Sequence, residues 1–422
     1  MSATSGRTRS LFAGSAGNLV EWYDWYAYAA FSIYFAPTFF PSGDLTAQLL
    51  NTAGIFALGF LVRPLGGWLL GWYADRRGRR AALTLSVLLM CSGSLVIAIL
   101  PGYEHIGAAA PVLLVLARLL QGLSVGGEYG TSATYLSEIA PADRRGFYSS
   151  FQYVTLVLGQ LLALAVLLAL QYWLLSERQL ESWGWRIPFL IGAAFAVVVA
   201  WLRRDMAESS AFTASRRVRR PLRELARYPR AIAIVFGLTL GGTVSFYTYT
   251  TYMQKFLVNT AGFDKPVATG ICALALLLFL PLQPLIGSLS DRIGRRPVLI
   301  AFGVGATVGT VPLMSVLGTT TTPAAAFFLV LLALVIVSGY TAVNAVVKAE
   351  LFPTEVRALG VGLPYALAVA LFGGTAEYVA LWCKSIGYEA GFYWYVTACA
   401  AVSLMVYVVV PDTRGTSKLG AA

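Results

Sequence analysis

Gly-Trp-Tyr-Ala-Asp-Arg-Arg-Gly-Arg-Arg at 71–80 runs straight into Ala-Ala-Leu-Thr-Leu-Ser-Val-Leu-Leu-Met-Cys-Ser-Gly-Ser-Leu-Val-Ile-Ala-Ile-Leu at 81–100: a basic loop, then twenty residues without a charge. A transmembrane helix takes about 20 mostly apolar residues, so the second stretch reads as a membrane span. Its unbroken apolar run also excludes a β-barrel, whose strands alternate over about 10 residues. The rest of the chain is built the same way. Of 422 residues, 58% are hydrophobic and 12% charged, the composition of an integral membrane protein. There is room for on the order of 12 spans and none for a sizeable soluble domain. The 41 glycines suit helices that pack through small residues.

Apolar windows bounded by charge and by Pro/Gly clusters predict helices at 10–37, 48–74, 81–100, 111–137, 146–173, 186–203, 230–256, 266–289, 297–317, 323–347, 356–382 and 390–411. Glu21 and Asp24 inside the first window argue against a cleavable signal peptide, whose apolar core carries no acids. Cys91, Cys272, Cys383 and Cys399 lie in or beside apolar spans without CxxC spacing, so neither a disulfide framework nor a metal site is expected. With this helix count, 24 of the 31 Lys and Arg fall on the side of the N-terminus. The positive-inside rule then puts both termini in the cytoplasm and makes the net charge of +11 topogenic, with no nucleic-acid partner expected. The stretch from Arg203 to Arg230 carries nine arginines and reads as a cytoplasmic linker. It separates a six-helix half at 1–203 from a six-helix half at 230–422, with the linker proper at 204–229. Trp183, Trp185, Arg186 and Pro188, ahead of the sixth span, read as an interfacial anchor on the outer face.

The halves repeat one another. G-x-x-x-D-R-x-G-R-R occurs at Gly71–Arg80 and again at Gly287–Arg296, an offset of 216; Glu138-x-x-Pro141-x-x-x-Arg145 returns as Glu350-x-x-Pro353-x-x-x-Arg357, an offset of 212. Two motifs at nearly one offset, half the chain long, mark a duplicated six-helix unit. Topogenic charge alone accounts for the arginines and not for the fixed Gly and Asp spacing.

The first repeat resembles the signature loop of the major facilitator superfamily, and Arg118-Leu-Leu-Gln121-Gly122-Leu-Ser-Val-Gly126 resembles its fourth-helix signature. Gly17-Asn-Leu-Val-Glu21-Trp-Tyr-Asp24-Trp-Tyr26, Phe60-Leu-Val-Arg63-Pro64-Leu-Gly-Gly67, Gly122 to Tyr129 and Trp183-Gly-Trp-Arg-Ile-Pro188 are similar to the metabolite:proton symporters within it. The whole chain is most similar to the α-ketoglutarate permeases of that group, with Thr250 to Gly262 and Lys348-Ala-Glu350 as supporting stretches. The resemblance implies an all-α, 12-helix monomer in the bacterial inner membrane, in contact with lipid. It also implies uptake of a small anionic metabolite with protons, driven by the proton gradient with no cofactor. It further implies an inner gate in which Asp75 pairs with Arg357 while Glu138 and Glu350 brace the arginines of their own loops. Arg79, Asp291 and Arg295 complete that set of gating residues. A partly exposed Asp75–Arg357 pair would contribute roughly 0 to 1 kcal/mol, a suitable size for a gate that must open.

A lone charge at mid-bilayer costs at least roughly 2.5 to 3.5 kcal/mol, which makes intramembrane charges functional candidates. Here they are Glu21, Asp24, Arg63, Arg118, Glu128 and Glu377. At about 1.5 Å of rise per residue, Asp24 and Arg63 lie about 20 Å from the outer ends of their helices, the most central opposite charges in the chain. By the repeat offsets Arg63 falls on Phe279 and Arg118 on Val330, so neither arginine is demanded twice by the scaffold. Arg63 is the candidate to bind a substrate carboxylate bidentately, set against a static ion pair with Asp24 or Glu21. Glu21, Asp24 and Tyr28 share one face of helix 1; Arg118, Gln121, Gly122, Val125, Tyr129 and Ser132 share one face of helix 4. Asp24 is the candidate proton carrier, because burial disfavours a carboxylate and a nearby guanidinium favours it, so moving the partner switches protonation. Glu21 and Glu128 share that candidacy, and the resemblance links Arg118 to the proton step. Tyr28, Gln152, Tyr249 and Tyr252 are candidate hydrogen-bonding residues for a dicarboxylate, against a place in the outer aromatic belt. Glu377 reads as a snorkelling residue at the outer interface and His105 as a solvated loop residue.

Other classes fit less well. Osmolyte carriers similar to this family have a long charged C-terminal extension, which is absent here; a drug antiporter would carry a Gly-Pro signature in helix 5, and 146–172 holds no proline. A sensor or channel would need a signalling domain or a filter segment. No nucleotide-binding loop or metal cluster points to an enzyme.

Overall fold

The computed structural model describes residues 2–77, 79–126, 128–203 and 221–419; at 2–18, 71, 74–76, 79–80, 83, 128, 131, 199–203 and 221 it describes backbone only. Among the described residues the secondary structure is helical, with no strand, and short connections join the twelve membrane helices of the expected fold. These are α1 (Ser2–Phe39), α2 (Leu45–Leu61, continued as Arg63–Arg77), α3 (Arg79–Ile99), α4 (Ala109–Val125, continued as Glu128–Ile139), α5 (Arg145–Ala169) and α6 (Ile187–Arg203). Next come α7 (Pro229–Tyr247, then Met253–Asn259), α8 (Lys265–Ile293), α9 (Arg295–Thr319), α10 (Pro323–Thr341, then Asn344–Glu350), α11 (Arg357–Ala368, then Ala376–Ser385) and α12 (Glu389–Val409). In lipid the backbone must satisfy its own hydrogen bonds, which is why apolar runs of this length become helices. Among the described residues, eight spans are long and apolar enough to cross a membrane on their own, and Thr84–Ile99, Ala109–Val125 and Gly184–Val198 are shorter apolar stretches.

The interruptions have local causes. Pro64 has no N–H to return to the preceding turn, and α2 is broken at Val62. In α10 the Asn344 amide donates to the carbonyls of Tyr340 (3.2 Å) and Thr341 (2.9 Å), taking acceptors that the helix would otherwise use, and the helix restarts at Asn344. Helices α7 and α11 each carry one π turn, Thr248–Tyr252 and Val369–Gly373. Such turns are frequent at functional sites.

The chain groups into two compact units. The first comprises Met1–Ser42, Leu58–Glu128 and Leu158–Arg217. Its centre is α1, which is buried on every face from Val20 to Ala36; a helix apolar all round belongs in an interior. Trp185 is fully buried there, with its ring centroid 5.5 Å from both Phe35 and Phe39. It is therefore a plug at the end of α1 and not an interfacial anchor; its neighbour Trp183 is the exposed one.

The second unit comprises Gly43–Ala57, Tyr129–Val157 and Val218–Ala422. The spacing of the second signature motif finds its physical reason here. A Cβ at Gly287 would stand 2.5 Å from the Gly146 carbonyl oxygen, so α8 meets the start of α5 at backbone distance. One turn on, the Asp291 carboxylate accepts from the backbone N–H groups of Gly146 (2.8 Å) and Phe147 (2.9 Å). Those are two of the unpaired donors at the N-terminus of α5, where an anion is also favoured by the helix dipole. Glycine and aspartate four residues apart are one device.

Candidate functional site

In the first unit a chain of polar side chains crosses from α1 to α4. Asp24 is 1% exposed; Gln121 donates through Nε2 to Asp24 Oδ2 and to Ser94 Oγ (3.0 Å), and Arg118 Nη1 donates to Gln121 Oε1 (2.6 Å). The other carboxylate oxygen of Asp24 has no hydrogen-bond partner among the described residues, and Gly192 leaves it space, since a Cβ there would collide with it. The acid is thus linked to the guanidinium through an amide, one oxygen fixed and one available.

Arg118 also lies 4.0 Å from the centroid of Trp25 and 4.3 Å from that of Tyr28. Arg63, 6% exposed, stands over the same Trp25 (4.0 Å) and over Phe60 (3.8 Å). Two guanidinium groups therefore share one indole, each gaining from the ring quadrupole. Asp24 is joined to Arg118 by way of Gln121. Glu21, 3% exposed, accepts from Ser86 Oγ (3.3 Å). The side chain of Glu128 lies outside the described residues.

The remaining candidates lie in the second unit. Gln152, 1% exposed, accepts from Ser132 Oγ (2.6 Å), while its Nε2 has no partner among the described residues. The Tyr249 hydroxyl donates to Thr310 Oγ1 (3.0 Å), and Tyr252 packs edge-on against Phe256 and Phe392. Both tyrosines are buried by this packing and neither is at an aromatic belt.

Two buried lysines are absent from the candidates read off the sequence. Lys255 in α7 is 1% exposed and binds Glu377 of α11 at 2.5 Å. Glu377, at 3% exposure, is therefore an internal ion-pair partner and does not snorkel. Lys348 in α10 is fully buried, with Nζ donating to Asn344 Oδ1 (2.9 Å) and Tyr129 Oη (3.3 Å) and standing 4.0 Å from the Tyr365 ring centroid. Both stand at the end of a predicted apolar window, Lys255 one residue before the end of 230–256, where a charge reads as belonging to the loop. Lys348 lies one residue past the predicted end of helix 10, and α10 runs on to Glu350.

At the signature-loop ends, Arg357 pairs with Glu138 at 2.6 Å and donates to the carbonyls of Phe352 (3.0 Å) and Lys418 (3.0 Å). Glu138 thus reaches an arginine of the other sequence half; the side chains of Arg76, Arg79 and Arg80 of its own signature loop lie outside the described residues. Glu350 takes Arg295 of its own signature loop (3.7 Å), as expected, and the Thr413 hydroxyl (2.6 Å), and Arg295 also holds Asp291 (2.7 Å). Arg145 is engaged by Ser417 (3.1 Å) and the Leu419 carbonyl (3.0 Å). The side chains of Asp75 and Arg79 lie outside the described residues.

Residues 19–374 match the model of the Major Facilitator Superfamily. The chain is 57% identical over 406 residues to the alpha-ketoglutarate permease of Escherichia coli (strain K12), covering 96% of this chain and 94% of that protein. It is 35% identical over 384 residues to the citrate-proton symporter of Klebsiella pneumoniae, covering 89% and 85%. Among solved structures, the crystal structure of the D-xylose-proton symporter superposes with a TM-score of 0.75 at 21% identity, covering 97% of this chain and 99% of that one. That likeness establishes the fold.

Proposed function

The chain belongs to the Major Facilitator Superfamily, and from that premise we propose that it carries α-ketoglutarate into the bacterial cell together with protons. Transport would proceed by alternating access of the halves 1–203 and 230–422, joined by 204–229. The observation that carries the substrate is the 57% identity to a permease of that name across 96% of the chain. Proton coupling draws on the citrate-proton symporter relative and on a buried acid, Asp24, held by hydrogen bonds that can be exchanged.

In this reading Arg63 grips one carboxylate with both arms of its guanidinium, as an ammonium does less well. Asp24 takes up the coupled proton, Gln121 and Arg118 relay its charge state, and Glu21 and Glu128 are the reserve acids. Tyr28, Gln152, Tyr249 and Tyr252 offer hydrogen bonds to the substrate. At the cytoplasmic face, where both termini lie, Asp75 and Arg357 form the inner gate. Arg79, Glu138, Asp291, Arg295 and Glu350 hold the two loops. The carrier works as a monomer surrounded by lipid. Its specificity for a dianion sets a bound on coupling: moving one negative charge inward against 100 mV costs roughly 2.3 kcal/mol, so two protons per dianion, or one with the monoanion, make the cycle electroneutral.

The test is uptake of labelled α-ketoglutarate into proteoliposomes under an imposed pH gradient, with citrate, succinate, shikimate and betaine as competitors. Gradient-driven accumulation, displaced best by unlabelled α-ketoglutarate, is expected. Displacement by betaine ahead of every dicarboxylate would replace this reading with osmolyte uptake.

A further inference from the structure

We propose that Lys348 is a carboxylate-binding point of the second unit, one that receives the carboxylate of the substrate remote from its keto group; the inference rests on the dicarboxylate reading above. Four observations carry it. The ammonium is fully buried in a membrane helix, where an uncompensated charge is costly, yet none of the described carboxylates lies within ion-pair distance of it. Its surroundings are neutral: the ring faces of Tyr365 (4.0 Å), Tyr129 (5.2 Å) and Tyr340 (5.8 Å), the Tyr129 hydroxyl and the Asn344 amide oxygen.

The orientation of that amide is fixed by donor counting. Asn344 Nδ2 is committed to the carbonyls of Tyr340 and Thr341, so Oδ1 must face Lys348 and Tyr129, whose hydroxyl donates to it at 2.8 Å. An ammonium has three N–H donors, and Asn344 and Tyr129 take two. The third is left for an acceptor that the described residues do not supply.

A second unsatisfied donor lies in the same unit. Ser132 follows Tyr129 by three residues on one face of α4 and fixes Gln152 Oε1 at 2.6 Å, which leaves the buried Gln152 Nε2 without an acceptor. Finally, a lysine kept for architecture is served by a carboxylate in this same unit, as Lys255 is by Glu377 at 2.5 Å. A single ammonium with neutral hydrogen-bonding neighbours suits a compact monoanionic group, hence a carboxylate in place of a phosphate.

The experiment uses the full chain in lipid nanodiscs and two probes, α-ketoglutarate and 2-oxopentanoate, which keeps the keto-acid end and replaces the remote carboxylate by a methyl group. The native protein is expected to prefer α-ketoglutarate by about 100-fold, the size of one lost hydrogen-bonded charge contact. Lys348→Gln should reduce the preference to about threefold while leaving 2-oxopentanoate binding unchanged, and Lys348→Arg, which keeps a cation in place, should hold it near about tenfold. A preference that survives Lys348→Gln, or an equal loss of both ligands in the Gln and Arg variants, overturns the inference alone. A native protein that binds both probes equally overturns the dicarboxylate reading and the inference with it.

Discussion

Lys255 and Lys348 are both sealed from solvent inside helices of the same unit, and they differ in one respect: Lys255 has a carboxylate at 2.5 Å and Lys348 has aromatic faces and an amide. Burial alone does not separate a structural charge from a working one. The separation comes from asking whether the chain supplies the counter-charge. Lys255 and Glu377 neutralise each other between α7 and α11, beside the π turns of both helices, and hold those segments together. Lys348 is held in position and has no counter-charge among the described residues.

The comparison breaks most directly through stability. Lys255→Met strands Glu377 in the interior and is expected to cost about 3–5 kcal/mol, read as a fall in the thermal unfolding midpoint in detergent. The double variant Lys255→Met with Glu377→Met should recover most of that loss. Lys348→Met removes a charge with no counter-charge among the described residues and should cost far less; an equal loss at both sites would make Lys348 structural. Next in size is Arg63→Lys, which keeps the charge over Trp25 and Phe60 but gives up the fork. Apparent affinity for α-ketoglutarate should weaken by about tenfold at unchanged expression, and near-native affinity would remove the bidentate role. The smallest effect is expected at Glu138→Gln. The carboxylate side chain of the Arg357 pair is 39% exposed, so the pair contributes roughly 0 to 1 kcal/mol, and transport should change by no more than about fivefold. A complete loss of transport there would place Glu138 among the compensated, architectural charges.

Much of this was legible in the residues. Apolar windows located all twelve helices, because lipid leaves the backbone few alternatives. The shared faces of helices 1 and 4 brought Asp24, Gln121 and Arg118 into view, since i, i+3, i+7 spacing is local information. The fixed Gly and Asp of the signature loops proved to be a close backbone approach and a helix-end cap. What stayed hidden depended on partners distant in sequence. Glu377 lies 122 residues from Lys255, so its pairing left no local trace, and snorkelling was the natural expectation. Lys348 was lost at a helix boundary: a charge at the end of an apolar window reads as loop, although its side chain leans back towards the N-terminal turn of its helix and meets Asn344 four residues earlier. The same limit hides the bond of Glu138 to Arg357, 219 residues away.

Proton coupling through Asp24 is tested most directly by comparing net uptake with exchange in the same proteoliposomes. The native protein should concentrate labelled α-ketoglutarate when only an inward proton gradient is imposed. Asp24→Asn should abolish that accumulation yet still swap labelled for unlabelled substrate across the membrane, because exchange needs no net proton movement. An Asp24→Asn carrier that continues to concentrate α-ketoglutarate on a pH gradient alone would contradict it and move the proton to Glu21 or Glu128.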